Sequence, residues 1–140
     1  MSDYVLKPVG RVRNAINNRS EMTMCGVNSI IEMLPEYLSA LDNLEENSHL
    51  IICCFFHCAK RDVLRVCPRK FNPLSMSEKG VFATRSPDRP NPISFTVVKL
   101  VGRIEVDKLE VEGLDLINGT PVIDIKPCTE MDFNIFLQSR

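Results

Sequence analysis

The sequence predicts a mainly β protein, a barrel or sandwich of seven to nine short strands with one short helix. Three observations predict this fold class. Short apolar runs rich in β-branched and aromatic residues recur along the 140 residues. Turn signals such as Asn118-Gly119 separate these runs. Apolar residues at helical spacing occur over residues 34–44, which predicts one amphipathic helix.

The first half of the chain predicts three strands and the helix. Residues 4–12 are short and apolar and predict the first strand, and residues 28–34 predict the second. Pro35 suits the first turn of a helix, which we expect over residues 35–45. Residues 49–57 are almost entirely apolar. Their length and β-branched content predict a strand that is buried on both faces.

The second half predicts further strands around two polar segments. Residues 63–66 are a weaker strand candidate, and residues 69–79 predict a flexible loop. Residues 80–84 predict a strand that leads into a proline-rich loop. After that loop, apolar runs predict four more strands, at residues 93–101, 103–106, 109–114 and 121–125.

Length and composition predict a single domain. Of the 140 residues, 44% are apolar and 25% are charged, which is ordinary for a globular protein. The sequence shows no apolar run of membrane-spanning length and no signal-like start, so we expect a cytoplasmic protein. The net charge of -1 argues against a long nucleic-acid footprint, but residues 60–90 hold eight basic and three acidic residues. That segment could contact a few phosphates or pair with the acidic remainder.

Six cysteines, none in a CxxC pair, predict reduced thiols. Cys53 and Cys54 lie inside an apolar run and suit buried positions. His57 and Cys58, with further cysteines nearby, could suggest zinc, but the spacing fits no standard structural site. We therefore expect no metal, and a metal-binding protein is kept as an alternative.

Residues 80–93, GVFATRSPDRPNPI, combine rigidity with polar side chains. Pro87, Pro90 and Pro92 fix their own φ angles and push the preceding residues toward extended geometry, so that within residues 86–92 only Asp88 escapes both constraints. A rigid loop with converging polar groups suits a preorganised binding site. The alternative is a proline-rich surface linker.

The same stretch closely resembles the signature of the TsaA-like family, also called the TrmO or YaeB family. Further segments resemble the family in the same order: PVGRVRN at 8–14, LPEYLSAL at 34–41, SHLIICCFFH at 48–57 and LDLINGTPVIDIKP at 114–127. The resemblance implies a partly open β-barrel that forms a homodimer and binds S-adenosylmethionine near the dimer interface. It also implies methylation of N6 of threonylcarbamoyladenosine, beside the anticodon of tRNA.

The resemblance also implies a set of cofactor-binding residues. Arg85, in the ATRS motif, could hold the cofactor carboxylate in a two-point fork, and a structural arginine is the alternative. Phe95 could pack on the adenine, and Asp115 could accept hydrogen bonds from the ribose or amino group. The predicted cofactor-binding residues are His57, Cys58, Arg85, Phe95, Asp115, Gly119 and Thr120.

Methyl transfer to a ureido-conjugated N–H needs a base, because that nitrogen is a poor nucleophile until its proton leaves. The carboxylates in the two motifs are the candidates, although Asp88 could instead neutralise the arginines beside it. Lys126 and Arg89 could hold a substrate phosphate or the threonyl carboxylate. The predicted catalytic residues are Asp88, Asp124 and Lys126, and the predicted substrate contacts are Arg89 and Asn91.

An S-adenosylmethionine-binding sensor, or an inactive paralogue without methyl transfer, is the alternative function. Cys58, Asp88 and Ser94 depart from the residues that the family usually has at these positions. These departures are the reason for keeping that alternative.

Overall fold

The computed structural model describes residues 1–68, 74 and 77–138, and of residues 135–138 it describes only the backbone. The loop predicted at residues 69–79 therefore lies mostly outside the described residues. Among the helices in the described part, none is both long enough and apolar enough to cross a membrane. The cytoplasmic location stays a prediction.

The chain forms two compact units. One comprises Met1–Cys54 with Phe95–Arg140, and the other comprises Phe55–Ser94. The single domain expected from the sequence stays a prediction.

Eight strands are found in the described part of the chain, and six of them close a barrel. In chain order they are β1 (Gly10–Arg13), β2 (Val27–Met33), β3 (His49–Phe55), β4 (Arg65–Val66), β5 (Lys79–Gly80), β6 (Ile93–Glu105), β7 (Lys108–Leu114) and β8 (Pro121–Pro127). The barrel order is β1-β2-β7-β6-β3-β8, and β4 pairs with β5 in the second unit. The predicted mainly β class is confirmed, with a closed ring of strands where a partly open one was expected.

Alternation along the strands builds the barrel core. On β3, Leu50 and Ile52 are fully buried, while Ile51 and Cys53 on the other face are half-buried. The prediction that this strand is buried on both faces is wrong, because a closed barrel has one interior and the other face of each strand turns outward. The fully buried barrel residues include Val12, Ile31, Leu50, Ile52, Leu109, Val111, Leu114 and Val122.

The helix predicted at residues 35–45 consists of two 3₁₀ segments, Pro35–Leu41 and Leu44–Glu46. Pro35 occupies the first turn as expected. Asn43 has a φ of 67°, a left-handed conformation that interrupts any right-handed helix. The apolar spacing is therefore real, but it does not correspond to one continuous α-helix.

One α-helix, α1 (Glu130–Gln138), was not expected from the sequence. Asp132 caps it, because its Oδ2 accepts hydrogen bonds from the backbone N–H of Thr129 at 2.8 Å and from the Thr129 hydroxyl at 3.0 Å. The ring of Phe133 meets the ring of His49 edge-on, with centroids 6.0 Å apart. A helix this short is marginal alone, so a contact distant in sequence helps to stabilise it.

Three strands differ from their predictions by more than small shifts at their ends. β1 begins at Gly10 rather than at residue 4. β5 ends at Gly80, and the following residues, Val81–Ala83, form a 3₁₀ turn. β6 is one continuous strand where two were predicted, because irregularities in its register with β7 accommodate residues 101–104 without ending the ladder.

Gly26 precedes β2 and has no room for a side chain. Its φ is +73°, and a Cβ placed there would lie 2.5 Å from the carbonyl carbon of Gly113. We expect Gly26→Ala to lower the free energy of unfolding by roughly 2–4 kcal/mol, because the backbone would have to leave a left-handed conformation and move away from β7. Urea denaturation monitored by circular dichroism measures this.

Gly102→Ala is the matched control within the same barrel. A Cβ at Gly102 meets nothing within 4 Å, so we expect its effect to stay within about 0.5 kcal/mol. Equal losses of stability in the two variants would contradict the steric explanation.

Candidate functional site

The side chain of Arg89 stabilises the conformation of the proline-rich loop, residues 80–93, by hydrogen bonding to the loop backbone. Its Nη2 donates hydrogen bonds to the carbonyl oxygens of Val81 at 2.6 Å and Thr84 at 2.5 Å. The Thr84 hydroxyl donates to the Val81 carbonyl at 2.9 Å and accepts from the Ser86 backbone N–H at 3.2 Å. Nε of Arg89 is buried without a hydrogen-bond partner among the described residues. Arg89 was predicted to contact the substrate, but part of its guanidinium is thus occupied by hydrogen bonds within the loop.

Asp88 fastens the same loop to the chain that follows β3. Its Oδ1 accepts a hydrogen bond from the backbone N–H of Lys60 at 2.9 Å. The backbone N–H of Arg89 donates in return to the Lys60 carbonyl at 3.1 Å. The prolines leave the backbone of Asp88 unconstrained, and the hydrogen bond of its side chain therefore fixes its position.

Arg61 makes a second connection to the loop. Its Nε donates to the carbonyl oxygen of Pro90 at 2.8 Å, and its Nη2 donates to Oδ1 of Asn91 at 3.0 Å. The backbone N–H of Phe56 donates to the carbonyl of Pro92 at 2.8 Å. Residues 56–61 and 88–92 thus form one hydrogen-bonded assembly, which contains the predicted substrate contact Asn91.

Three predicted cofactor-binding residues are exposed in this unit. His57 and Cys58 lie in the turn after β3, where the N–H of Ala59 donates to the carbonyl of Phe56 at 3.0 Å. Arg85 is exposed in the proline-rich loop, directly after the residue whose carbonyl Arg89 binds. The unit Phe55–Ser94 therefore brings six of the predicted site residues into one small assembly.

The outer face of the barrel carries three more predicted residues. On β8, Nζ of Lys126 lies 2.9 Å from Oδ2 of Asp124, whose Oδ1 accepts from the Ile125 N–H at 3.0 Å. Strand register places Cys53 of β3 opposite Asp124. Phe95 of β6, on the other side of β3, is 57% exposed. We call these neighbouring outward positions of β8, β3 and β6 the outer face.

Asp124 and Lys126 form an ion pair on the outer face, and this pair affects the pKa values of the groups around it. The hydrogen bond and the charge of Asp124 raise the pKa of Lys126, so this side chain stays cationic at neutral pH. Burial raises the pKa of the Cys53 thiol and the charge of Asp124 raises it further, against a smaller opposing effect of Lys126. The thiol is therefore neutral, and it lies beside a fixed ion pair.

Asp115 lies just after β7, at one end of the barrel. The hydroxyl of Thr96 donates to its Oδ1 at 2.9 Å. Burial raises the pKa of the Cys54 thiol, and the charge of Asp115 contributes in the same direction. Cys54 is a buried, protonated core residue and no nucleophile.

The Asn118-Gly119 turn leads into β8, as the sequence predicts. Gly119 has a φ of +86° and donates its N–H to the carbonyl of Val12 at 2.7 Å. Thr120 is only 1% exposed, and its hydroxyl donates to the carbonyl of Ile117 at 2.6 Å. The Thr120 side chain thus serves the fold, and Gly119 is the more accessible of this predicted pair.

Comparison with known families identifies the chain. A family model described as the tRNA-methyltransferase O N-terminal domain matches residues 16–132. The chain belongs to this family, the TrmO family. The resemblance recognised in the sequence motifs is confirmed.

Relatives in the TrmO family have informative names. A "Probable S-adenosyl-L-methionine-binding protein" of Methanothermobacter thermautotrophicus is 43% identical over 136 residues, which is 93% of this chain and 95% of that protein. An "S-adenosyl-L-methionine-binding protein" of Archaeoglobus fulgidus is 39% identical over 126 residues, which is 87% of each. The expected cofactor, S-adenosylmethionine, is therefore confirmed for the family.

A solved structure supports the same assignment. The crystal structure of TrmO from Pseudomonas aeruginosa has 32% sequence identity and a TM-score of 0.73 to this chain. The match covers 94% of this chain but only 58% of that TrmO chain. It confirms the mainly β fold.

This TrmO family member contains site contacts that the motifs did not indicate. Thr96 holds Asp115, and the backbone of Lys60 and the side chain of Arg61 hold the proline-rich loop. Only the basic character of residues 60–65 hinted at the last two. Within the described ranges, no three His, Cys, Asp or Glu side chains come together as a metal site.

Proposed function

We propose that this chain is an S-adenosylmethionine-dependent methyltransferase that methylates N6 of threonylcarbamoyladenosine, beside the anticodon of tRNA. The observation that carries the proposal is the match of residues 16–132 to the tRNA-methyltransferase O family. This chain spans 58% of the TrmO chain of known structure. The activity and the substrate of that whole protein are therefore proposals for this chain.

The exposed donors and acceptors fit the chemistry of S-adenosylmethionine, which supplies an electrophilic methyl group when bound. The guanidinium of Arg85 and the imidazole of His57 suit its carboxylate. In the other unit, considered by itself, the exposed ring of Phe95 is suited to stacking on an adenine, and the carboxylate of Asp115 is suited to accepting hydrogen bonds from a ribose or an ammonium group. The hydroxyl of Ser94 is buried without a hydrogen-bond partner among the described residues, which a ligand would relieve.

Asp124 is the base that we favour. Each of its oxygens already accepts one hydrogen bond, from Ile125 or Lys126, and each has a second lone pair for the proton of N6. Lys126 orients the carboxylate and offers positive charge to an anionic group of the substrate. Asp88 has a different surrounding, because its Oδ1 accepts the Lys60 N–H that fastens the loop.

The unit Phe55–Ser94 supplies the charge for an RNA contact. Residues 60–90 hold eight basic and three acidic residues. Within the described part, Arg65 forms an ion pair with Glu78 at 2.5 Å. Exposed cations suit phosphate neutralisation. Those of this unit include Lys60, Lys79 and Arg85.

Incubation of the purified chain with S-adenosylmethionine and tRNA tests the proposal. Mass spectrometry of the digested nucleosides should show one added methyl group on threonylcarbamoyladenosine. Calorimetry with S-adenosylmethionine alone provides the second measurement. Binding without methyl transfer would favour the S-adenosylmethionine sensor, which the names of the archaeal relatives also suit. Absence of binding would contradict both functions.

We further propose that the chain forms a homodimer through the outer face. Phe95, Val97 and Val101 of β6 are 57%, 45% and 47% exposed, so an apolar stripe, interrupted by the exposed Lys99, runs along this strand. On the neighbouring strand β3, Ile51 and Cys53 extend it. Exposed apolar side chains grouped on one face in this way are typical of an interaction site.

Val97→Glu should raise the dimer dissociation constant at least about 100-fold, because a carboxylate at the centre of the stripe must lose water when two copies meet. Sedimentation equilibrium measures this. Val106→Glu is the matched control, since Val106 is 67% exposed in the turn between β6 and β7, away from the stripe. A monomeric wild-type chain, or equal weakening by both variants, would contradict the proposed interface.

A further inference from the structure

We propose that Arg61 is a positioning residue, which turns the side-chain amide of Asn91 so that its NH₂ group faces an anionic oxygen of the RNA substrate. The inference deepens the proposed function and rests on it for the identity of the substrate. Neither the signature motif nor the family match assigns a role to Arg61.

The orientation of the Asn91 amide follows from the chemistry of arginine. A guanidinium donates hydrogen bonds and accepts none, so the atom of Asn91 that lies 3.0 Å from Nη2 of Arg61 must be the amide oxygen. The second bond, from Nε of Arg61 to the carbonyl of Pro90 at 2.8 Å, fixes the plane of the guanidinium. The two N–H bonds of the Asn91 amide therefore point away from Arg61.

The backbone of Asn91 has little freedom of its own. Pro92 restricts it to extended geometry, and its carbonyl accepts the N–H of Ile93 at 2.7 Å. The carbonyl of Pro92 accepts the N–H of Phe56 at 2.8 Å. What remains adjustable is the side chain, and that is the part that Arg61 holds.

The exposed Asn91 amide then acts as a preorganised donor in a positive surrounding. Asn91, Arg61 and Lys60 are all exposed, and two of them are cations. An N–H donor beside cations suits an anionic oxygen. In the proposed substrate that oxygen belongs either to an RNA phosphate or to the threonyl carboxylate.

A double-mutant cycle on tRNA binding tests the inference. Fluorescence anisotropy gives the tRNA dissociation constant for the wild type, Asn91→Ala, Arg61→Met and the double variant. We expect each single change to weaken binding about tenfold, and the double variant to be within about twofold of the weaker single variant, because Arg61 acts through Asn91. In methyl transfer, KM for tRNA should rise while kcat stays within about twofold.

Two further variants separate positioning from charge. Arg61→Lys keeps the cation but cannot reproduce the two-bond fork, so it should lose most of the affinity that Arg61→Met loses. Lys60→Met removes the neighbouring cation while the backbone groups that bind the loop remain. Lys60→Met should raise the tRNA dissociation constant about threefold or less, and this factor should multiply with that of Asn91→Ala in a double variant.

Each outcome has a distinct meaning. The positioning role would be overturned if the losses of tRNA affinity in Arg61→Met and Asn91→Ala multiplied in the double variant. Wild-type affinity of Arg61→Lys for tRNA would overturn it as well. Coupled losses in binding without any methyl transfer would support the positioning role and count against the proposed function. No tRNA binding by the wild type would overturn both. Coupling that persists on tRNA lacking the threonylcarbamoyl group assigns the acceptor to a phosphate, and coupling that disappears assigns it to the carboxylate.

Discussion

Replacement of Arg85 by alanine should weaken S-adenosylmethionine binding by roughly 100-fold. A two-point contact between a guanidinium and a carboxylate consists of two charge-assisted hydrogen bonds, each worth about 1.5–3 kcal/mol. Arg85 is exposed, in a loop whose backbone is held by three prolines and by Arg89. It therefore presents its charge to a ligand with little loss of backbone entropy. Isothermal titration calorimetry measures the affinity.

Two comparisons make the Arg85 result interpretable. Arg85→Lys keeps the charge but only one contact point, so we expect a loss of about tenfold. Lys79→Ala removes another exposed cation of the same unit and should change cofactor affinity by less than about twofold. Thermal unfolding shows whether each variant is folded. If Arg85→Ala binds the cofactor normally, Arg85 is the structural arginine of the alternative interpretation.

Replacement of Asp124 by asparagine should lower the rate of methyl transfer by about 10²–10⁴-fold, the range for loss of a general base. The amide oxygen can still accept the Ile125 N–H, so the local backbone should persist. Cofactor affinity should change little, because the substituted group takes up a proton from the substrate. Single-turnover methyl transfer with saturating S-adenosylmethionine isolates this step from binding.

Asp88→Asn distinguishes between the two candidate bases. The amide oxygen of asparagine can replace the carboxylate oxygen that accepts the Lys60 N–H, so the loop should keep its attachment. We expect a rate loss below about tenfold. A large loss in Asp88→Asn together with a small one in Asp124→Asn would reverse the assignment and make Asp88 the base.

Strands formed by clear apolar runs were predicted closely. The predictions at residues 49–57, 109–114 and 121–125 correspond to β3, β7 and β8, with ends that differ by two residues or fewer. Apolar runs bounded by polar or turn residues mark the extent of these strands in the sequence itself, but the continuous run of β3 does not reveal that one of its faces turns outward. α1 and the interruption at Asn43 were missed, because one depends on a contact with β3 and the other on a single left-handed residue.

The sequence motifs indicated which residues belong to the candidate site, but they did not indicate every contact that these residues make. The motifs named Arg89 as a substrate contact, while the structure shows its Nη2 bound to two loop carbonyls. Asp124 and Lys126 are two residues apart on a strand, which places them on one face, and their ion pair follows from that spacing. The position of Cys53 beside them depends on strand register, which the sequence leaves open.

The rigidity of the proline-rich loop and the membership of the TrmO family can both be inferred from the amino-acid sequence, because both depend on local residue identity and order. The groups that bind the loop are visible only in the folded chain. Asp88 and Asn91 reach groups that lie 28 and 30 residues away along the chain. Which distant donors meet them depends on how the unit Phe55–Ser94 folds. The assignment of Asp88 to the Lys60 backbone and of Asn91 to Arg61 therefore comes from the fold.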